Sequence, residues 1–363
     1  MLKKRLFIIS ITLLLSFFII INNPTFRSQS ITKGKILVVD SNNSSAGYTT
    51  ISDALLDANN TDIIYVNPGV YYENIKVNKS VSIISNNSEL AIINSLGNIY
   101  SVLIKSSNVT FSGFTIKNST IAIYLNGINN TISDNIILNN TNGVYFEKSS
   151  HGNILLNNNL SNNLEAIYLY NSSDNYIIEN NFFNNSFFGI KIWEKSDKNK
   201  IENNTFKKSG RDLLLGRWSN FNKIKNNNFS SEEKESTGLL IEYSYYNTVL
   251  KNTFSDFMYG LYLTNTHNNT ILNNTFENNS FGVYKKNADE TNLSEYNFFN
   301  ENGEDVKSAS KPPSVRVPSS ELTIVIIIAF VLLVLFFILQ KNKKKWERHI
   351  LFINIHIVII VIF

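Results

Sequence analysis

One pattern of about 22 residues returns at least eight times along the middle of this chain, as in Gly260–Phe281, GLYLTNTHNNTILNNTFENNSF. Successive units open 21, 23, 23, 23, 26, 22 and 22 residues apart. The opening residues are Ala122, Gly143, Ala166, Gly189, Asp212, Gly238, Gly260 and Gly282. Periods in this range are typical of solenoids, in which every repeat stacks only on its neighbours.

Within each unit the apolar residues alternate, as in Gly143–Phe146 and Gly260–Leu263, and this period of two predicts a short strand. A second short strand follows, for example Ile201–Phe206 or Ile271–Phe276. Between the strands there is room for corners but not for a helix. We therefore predict an all-β fold, a parallel β-helix with two or three strands in each coil.

Asparagines recur at two equivalent corners of the units, five residues apart. The first set comprises Asn130, Asn153, Asn175, Asn199, Asn222, Asn247, Asn269 and Asn292. The second set comprises Asn135, Asn158, Asn180, Asn204, Asn227, Asn252, Asn274 and Asn297. An amide carries both a donor and an acceptor, so identical residues stacked about 4.8 Å apart can hydrogen bond from coil to coil. The pattern favours two structural ladders over the alternative, a set of ligand-binding asparagines.

The N-terminal segment, residues 1–30, combines a basic start with an apolar run from Leu6 to Ile21. This arrangement is typical of a signal peptide or an uncleaved signal anchor, and the sequence does not decide between them. Either segment sends the body of the protein out of the cytoplasm. The chain has no cysteine, so its stability there must come from stacking and not from disulfides.

Residues 31–121 are expected to hold an N-terminal cap and irregular first coils, followed by regular coils over 122–304. The stretch Tyr48–Ala58 predicts a short amphipathic helix, with Ile51, Ala54, Leu55 and Ala58 on one face and Thr50 or Ser52 as its N-cap. We expect this helix to cover the open end of the solenoid, because the first coil otherwise exposes unpaired strand edges.

After the array, residues 305–320 are expected to form a polar linker that contains proline. The unbroken apolar run Leu322–Leu339 predicts a transmembrane helix over residues 321–340. Residues 341–363 begin with the basic stretch Lys341–Lys345, which indicates the cytoplasmic side, and end in the short apolar segment Leu351–Phe363. The expected arrangement is a single-pass membrane protein whose β-helix lies outside the cytoplasm.

The stretch from Thr50 onward, TISDA followed by DIIYVNPGVYYENIKVNKSVSII, precedes repeats of the form NNTI-x-x-N-x-F. This order resembles the right-handed parallel β-helix proteins of the pectin-lyase-like superfamily. Within it, the chain resembles the NosD-like group and the carbohydrate-binding and sugar-hydrolysis β-helix domain, over roughly Lys35–Glu304. The resemblance implies an exported protein of archaeal or bacterial surfaces, but one fold of this kind carries several unrelated functions.

The NosD-like resemblance also implies a role in copper or metalloprotein maturation. Copper requires Cys, Met or clustered His, whereas the predicted β-helix has no Cys and only Met258, His151 and His267. The two histidines lie about five coils apart. We therefore predict no metal site and no cofactor.

Outward strand positions place aromatic residues on one face of the predicted solenoid. Tyr145, Tyr168, Tyr170 and Trp193 form a patch, and Glu147, Glu194, Arg217 and Trp218 lie at its edge. Aromatic faces beside carboxylates suit stacking on sugar rings. The alternative is that these rings stack only on each other between coils.

The weaker catalytic candidates are Arg211, Asp212 and Glu242, because Arg211 and Asp212 open the longest unit. A carboxylate pair, Glu147 with Glu194 or Asp212 with Glu242, is the arrangement that glycan cleavage on this fold would require.

The distribution of charge and the sequence motifs limit the classes of partner that the protein is expected to bind. The net charge of +4 comes largely from the two termini, Lys3–Arg5 and Lys341–Arg348, and the repeats carry no basic stripe, which argues against nucleic acid. Glycosylation sequons are frequent and include Asn43, Asn108, Asn118, Asn203, Asn268 and Asn273. The first hypothesis is a membrane-anchored, adhesin-like module that binds glycans or envelope components. The alternatives are a polysaccharide lyase or glycoside hydrolase and a NosD-like maturation factor.

Overall fold

The computed structural model describes residues 34–309, except 86, 89, 232, 234 and 289. These residues wind into a parallel β-solenoid of about 12 turns, with coils of about 23 residues. Each regular coil contributes one strand to each of three parallel sheets, in the order first, second and third sheet along the chain. The all-β parallel solenoid predicted from the repeats is therefore confirmed, with three strands in each coil.

The strands of the three sheets have the following bounds. The first sheet contains Ile36–Val39, Ile63–Val66, Ser82–Ile84, Thr110–Ser112, Thr131–Ser133, Ile154–Leu156, Tyr176–Ile178, Lys200–Glu202, Lys223–Lys225, Thr248–Leu250, Thr270–Leu272 and Asn292–Leu293. The second sheet contains Gly69–Tyr71, Ala91–Asn94, Thr115–Lys117, Ile136–Leu138, Asn159–Ser161, Asn181–Phe183, Thr205–Lys207, Asn228–Ser230, Thr253–Ser255, Thr275–Glu277 and Phe298–Asn300. The third sheet contains Ile75–Val77, Tyr100–Ile104, Ile121–Leu125, Asn142–Phe146, Glu165–Tyr170, Phe188–Trp193, Arg211–Leu215, Thr237–Glu242, Tyr259–Thr264, Phe281–Lys286 and Glu304–Ala309.

A short 3-10 helix, Ser44–Ala46, precedes the α-helix Ile51–Asp57. Thr50 caps the α-helix, since its side chain accepts a hydrogen bond from the Asp53 N–H. The Glu73 carboxylate accepts two further N–H groups of the first turn, at 2.8 and 2.9 Å. At the other end, Lys79 Nζ donates to three main-chain carbonyls, those of residues 55, 56 and 58. Both ends of the helix are thus held by side chains of the first coils.

The second set of asparagines forms a continuous buried ladder. Asn158 shows the pattern: its Nδ2 and its main-chain N–H both donate to Oδ1 of Asn180 in the next coil, at 3.0 and 2.9 Å. Its Nδ2 also donates to the Ile132 carbonyl, at 2.9 Å. The same bond from main-chain N–H to Oδ1 runs from Asn135 to Asn297 without a gap. Polar groups that the corner would otherwise bury unpaired are satisfied in this way.

The first set forms a second ladder, which extends from Asn130 to Asn269. Asn292 lies outside it, so that part of the sequence prediction is wrong. Asn292 pairs with Thr270 on the first sheet and is exposed, because the last coil shifts by one residue. Thr291 occupies the ladder position, where its hydroxyl is buried without a partner.

A third ladder, which the sequence analysis missed, lies five residues after the second. It contains Asn140, Asn163 and Asn185, and it resumes at Asn279 and Asn302. Ser209 interrupts it with a side chain that is buried at the equivalent position.

The interior is apolar and stacks in columns. The rings of six phenylalanines on the second sheet lie face to face in successive coils, with centroids 4.5–5.1 Å apart. They are Phe182, Phe206, Phe229, Phe254, Phe276 and Phe299. Buried Ile, Leu and Val fill the rest of one continuous core. The ladders and this core together explain how a chain without cysteine holds a long solenoid.

Two boundaries differ from the sequence expectation. The coils before Ala122 pair in the same three sheets as the later coils. Residues 305–309, assigned to the linker, belong to the last strand of the third sheet. The predicted export signal and the run Leu322–Leu339 lie outside the described residues. Among residues 34–309, apart from the five gaps, there is no helix long and apolar enough to cross a membrane.

Removing one ladder amide tests the role of the ladders. Asn204→Ala takes the Oδ1 acceptor from the Asn180 N–H and the Nδ2 donor from the Ile177 carbonyl. A buried unpaired group costs about 1–3 kcal/mol, so we expect the free energy of unfolding in urea to fall by at least about 2 kcal/mol. The exposed neighbour Asn203 has a φ of 57°, and Asn203→Gly is the matched control that should change stability little. Equal effects of the two substitutions would contradict the ladder account.

Candidate functional site

The outward face of the third sheet carries the predicted aromatic patch. In a six-residue strand such as Glu165–Tyr170, three positions face outward, and equivalent positions form columns that run along the solenoid. The central column places Tyr124, Tyr145, Tyr168 and Lys191 next to one another in neighbouring strands. The column at the strand ends places Tyr170 beside Trp193. We call this surface the aromatic face.

The tyrosines of the aromatic face contact each other from coil to coil. The rings of Tyr124 and Tyr145 stack with centroids 5.5 Å apart, and those of Tyr145 and Tyr168 meet edge to face at 5.2 Å. Tyr170 meets Tyr168 edge to face at 6.2 Å. The rings therefore form a continuous column that remains partly exposed to solvent. Stacking between coils and an accessible surface are both present.

Cations lie over these rings. Lys191 Nζ is 4.3 Å from the centroid of Tyr168 and 5.5 Å from that of Trp193, and it pairs with Glu165 at 3.4 Å. The Arg217 guanidinium lies 5.1 Å from the Trp193 ring. Such positions over an aromatic ring are favourable for a cation. The aromatic face therefore combines aromatic rings with paired charges and is not a purely apolar surface.

Two of the predicted carboxylates are already engaged. The Tyr124 hydroxyl donates to Glu147, and Arg217 Nη1 pairs with Glu194 at 2.7 Å. The hydrogen bond that Arg217 donates to the Glu194 carboxylate raises the pKa of the guanidinium. Glu147 and Glu194 therefore hold neighbouring side chains in position at the rim of the face.

The phenols of Tyr124, Tyr145 and Tyr168 are neutral at physiological pH. Burial raises the pKa of Tyr145 to about 12, and the nearby Glu147 charge adds to the shift. Burial also raises the pKa of Tyr124 and Tyr168 well above its ordinary value. A neutral phenol donates as well as accepts hydrogen bonds, so these hydroxyls are suited to contact other hydroxyl groups.

Trp193 lies directly against the next coil. A Cβ atom added at Gly216 would lie 2.2 Å from the indole ring, so only glycine leaves room for the ring there. Trp193 and Tyr262 also cover a small buried cluster on this face, formed by Phe188, Leu214 and Leu240. Gly216 thus fixes where the indole lies.

A shallow cavity of about 330 Å³ opens on the same sheet, beside the longest coil. Its lining comprises Phe187, Gly210, Arg211, Glu235, Thr237, Leu240, Tyr259 and Tyr262. The Arg211 guanidinium lies 5.9 Å from the centroid of Phe188. Of the three catalytic candidates, Arg211 alone lines this cavity.

The catalytic candidates Arg211, Asp212 and Glu242 do not come together. The Asp212 side chain is fully buried, because its position faces the core and holds Ala or Gly in the other regular coils. Glu242 ends the strand whose first residue, Thr237, pairs with Arg211, so it lies roughly 16 Å farther along the sheet. The proposed Asp212 and Glu242 pair is therefore wrong.

Sequence reasoning also missed a third outward column, at the start of each strand, which contains Glu165, Phe188, Arg211 and Tyr259. These residues lie one position before the small buried residue that opens each unit. Two consecutive residues of each strand then face the core, and a strict alternation assigns this column to the wrong side. The fixed offset from the small residue is the signal that identifies it.

The fold and the aromatic face define the class of protein, a β-solenoid with an aromatic surface. Comparisons with known families identify the family within this class. The model of the family described as periplasmic copper-binding protein (NosD) matches residues 41–237, more than half of the chain. The chain therefore belongs to the NosD family. A family model described as right handed beta helix region matches residues 195–312.

A curated relative, a cell surface glycoprotein of Methanothermus fervidus, is 43% identical over 101 residues. The match spans 27% of this chain and 17% of that protein's length. This relative and the β-helix fold fit an extracellular surface protein.

Two solved structures share the fold. The A-module of mannuronan C-5 epimerase AlgE6 from Azotobacter vinelandii has a TM-score of 0.57 and 13% identity, and the match covers 72% of this chain and 94% of that chain. Endo-xylogalacturonan hydrolase from Aspergillus tubingensis has a TM-score of 0.54 and 12% identity, with 78% and 98% covered. At these identities the likeness is one of fold alone.

The family's description names copper, but the donors present do not fit this ion. Within the described residues, no three His, Cys, Asp or Glu side chains are grouped to hold a metal. His151 Nδ1 accepts a hydrogen bond from the Ser173 N–H at 2.9 Å. His267 stacks on Tyr245, with ring centroids 4.2 Å apart, in a distant coil. Copper prefers grouped thiolate, thioether or imidazole ligands, so no step of the function is assigned to it.

The buried Asp212 generates a test of pH dependence. Burial raises the pKa of this carboxyl well above its ordinary value, so the folded state favours the protonated form. The contribution of this carboxyl to the stability of the native protein is then fully present below about pH 4, the unfolded value, and is lost as the pH rises towards the raised folded pKa. Asp212→Ala removes this loss, and we expect its free energy of unfolding to exceed that of the native chain at pH 7 and to converge with it near pH 4.

Asp212→Asn is the control, because it retains a polar side chain that does not titrate. Urea unfolding at several pH values measures all three proteins. An advantage of the Ala variant that is the same at pH 4 and pH 7 would contradict the buried-carboxyl account.

Proposed function

We propose that the protein is a membrane-anchored surface module that binds glycans on the aromatic face. The observation that carries this proposal is the juxtaposition of partly exposed rings, Tyr145, Tyr168, Tyr170 and Trp193, with neutral phenol hydroxyls and carboxylates at one rim. Sugar rings present apolar C–H faces and a hydroxyl edge. Stacking on aromatic rings and hydrogen bonding at the rim match these two features.

The remaining parts of the chain have roles in this proposal. Residues 1–30 direct export, residues 31–121 provide the cap and the first coils, and the helix Ile51–Asp57 covers the end of the solenoid. Residues 122–304 form the regular coils, a linker follows the last strand, and Leu322–Leu339 anchors the chain. Exposed sequon asparagines, among them Asn118 and Asn273, are then available for glycosylation outside the cytoplasm.

A polysaccharide lyase or glycoside hydrolase is the second candidate. The cavity beside Arg211 and Glu235 favours it, because a cation and a carboxylate there line one concave site. Cleavage requires two carboxyl groups about 5–10 Å apart, or a base beside the scissile bond. Incubation of every bound glycan with the protein, followed by product analysis, separates binding from cleavage.

The direct test is binding of the full chain, purified in detergent, to a glycan array. We expect a defined set of glycans to be retained, and the double variant Trp193→Ala/Tyr168→Ala to lose at least about tenfold in affinity, since stacked rings each contribute about 0.5–1.5 kcal/mol beyond buried area. Tyr176→Ala, on the first sheet, is the matched control and should bind normally. Absence of binding by the native protein, or equal loss in the control, would overturn the proposal.

Gly216→Ala offers a subtler perturbation of the same surface. The added methyl group occupies the space of the Trp193 indole, so the indole must move while every aromatic atom remains. We expect weaker glycan binding and a lower thermal midpoint, because the displaced indole also uncovers Phe188, Leu214 and Leu240, so affinity is measured well below that midpoint. Titration followed by tryptophan fluorescence measures the effect. Unchanged affinity would show that the position of Trp193 is irrelevant to binding.

A further inference from the structure

A second group of aromatic residues lies at the corner between the third and first sheets, in the coils that follow Trp193. Trp218, Phe221, Tyr243 and Tyr246 have φ values of 62°, 58°, 46° and 57°. This left-handed region is unfavourable for a residue with a Cβ, and especially for a bulky one. We call these four residues, with Tyr245 and His267, the aromatic corner.

Other coils carry small or polar residues at the same points. The position just before the first ladder holds Asn129, Gly152, Asp174 and Lys198 in the preceding coils and Asn268 in a later one, all with φ between 56° and 66°. Asn and Gly tolerate this conformation best. Among the described residues of 34–309, aromatic side chains therefore occupy this disfavoured backbone conformation in two adjacent coils only.

Burial does not account for these rings. Trp218 is 51% exposed, Phe221 55%, Tyr243 48% and Tyr246 50%. A half-exposed ring contributes little to folding in return for the strained backbone. Strain that is retained without a structural gain is characteristic of functional positions.

The rings are also ordered against one another. Phe221 and Tyr246 stack with centroids 5.2 Å apart and an interplanar angle of 8°. Tyr245 and His267 stack at 4.2 Å. His267 Nδ1 lies 2.9 Å from Asn268 Nδ2 and 4.0 Å from Glu290. Flat ring faces beside amide, imidazole and carboxylate groups suit a sugar, which has an apolar C–H face and a hydroxyl edge. They suit the apolar side chains of a protein partner less well.

The aromatic corner continues directly from the aromatic face. Arg217 lies over the Trp193 ring and pairs with Glu194, and Trp218 is the next residue in the chain. The Trp218 N–H donates to the Tyr243 carbonyl at 2.6 Å, which links the two coils of the corner. A ligand on Trp193 is therefore adjacent to the corner rings.

We propose that the aromatic corner is a second glycan-contact site, and that the ligand is an extended polysaccharide that passes from the aromatic face around this corner. This inference rests on the proposed function of the face. It assigns the ligand class: a long chain, whose affinity grows with length because two adjacent surfaces hold it together, and not an isolated mono- or disaccharide.

The test uses the full chain in detergent and one glycan series, from a disaccharide to the polymer. The corner variant combines Phe221→Asn, Tyr243→Asn and Tyr246→Asn, since Asn occupies equivalent positions in other coils and preserves the backbone. We expect it to fold at least as stably as the native chain, to bind short oligosaccharides normally, and to lose about tenfold or more in affinity for long chains. The variant Trp193→Ala/Tyr168→Ala should lose short and long chains alike.

The other outcomes separate the two proposals. Equal affinity of the corner variant and the native chain for every length would overturn the corner site and leave the face intact. Corner-dependent retention of a protein, without a change in glycan affinity, would overturn it in favour of a protein partner. No binding of any length by the native chain would overturn the function of the face itself.

Discussion

The hydrogen bond from each coil to the amide of the next is the interaction on which this structure depends. A solenoid of short strands has no fixed register unless something at the corners defines it, since one coil can slide along its neighbour. Buried Asn side chains define it, because each Oδ1 accepts the N–H of the equivalent residue one coil earlier. The stacked phenylalanines supply apolar burial along the same axis. Register and burial therefore reinforce each other in every coil.

Because buried ladders and core residues stabilise the solenoid, the side chains on its outer surfaces can vary from coil to coil. The third sheet carries tyrosine, lysine and leucine at equivalent outward positions, while the core behind them hardly changes. The same freedom permits the left-handed aromatic residues of the corner, whose backbone conformation recurs at equivalent residues of other coils. The function of a protein with this fold therefore depends on the outward side chains of its coils. This dependence is consistent with the range of activities found on solenoid folds.

The sequence repeat and its asparagines predicted the solenoid, most of two ladders and the aromatic face, because stacking places equivalent residues of successive coils in columns. The prediction failed where one coil departs from the others. Asn292 is displaced by a one-residue shift of the last coil, and Asp212 occupies a core-facing position that simple alternation assigns to the surface. The aromatic corner depends on φ values that the sequence does not display. The repeat also accounts for some of the frequent sequons: Asn-Asn-Thr arises where an exposed corner residue such as Asn273 precedes the ladder residue Asn274 and a strand that begins with Thr275.

The claim that matters most is that the aromatic face is where this surface protein meets its ligand. The most direct measurement is an experimental structure of the protein with an oligosaccharide bound. The account predicts a sugar ring stacked on Trp193 or Tyr168, with its hydroxyl groups within hydrogen-bond distance of the tyrosine phenols or the rim carboxylates. A sugar held on the first or second sheet, with the aromatic face bare, would contradict it.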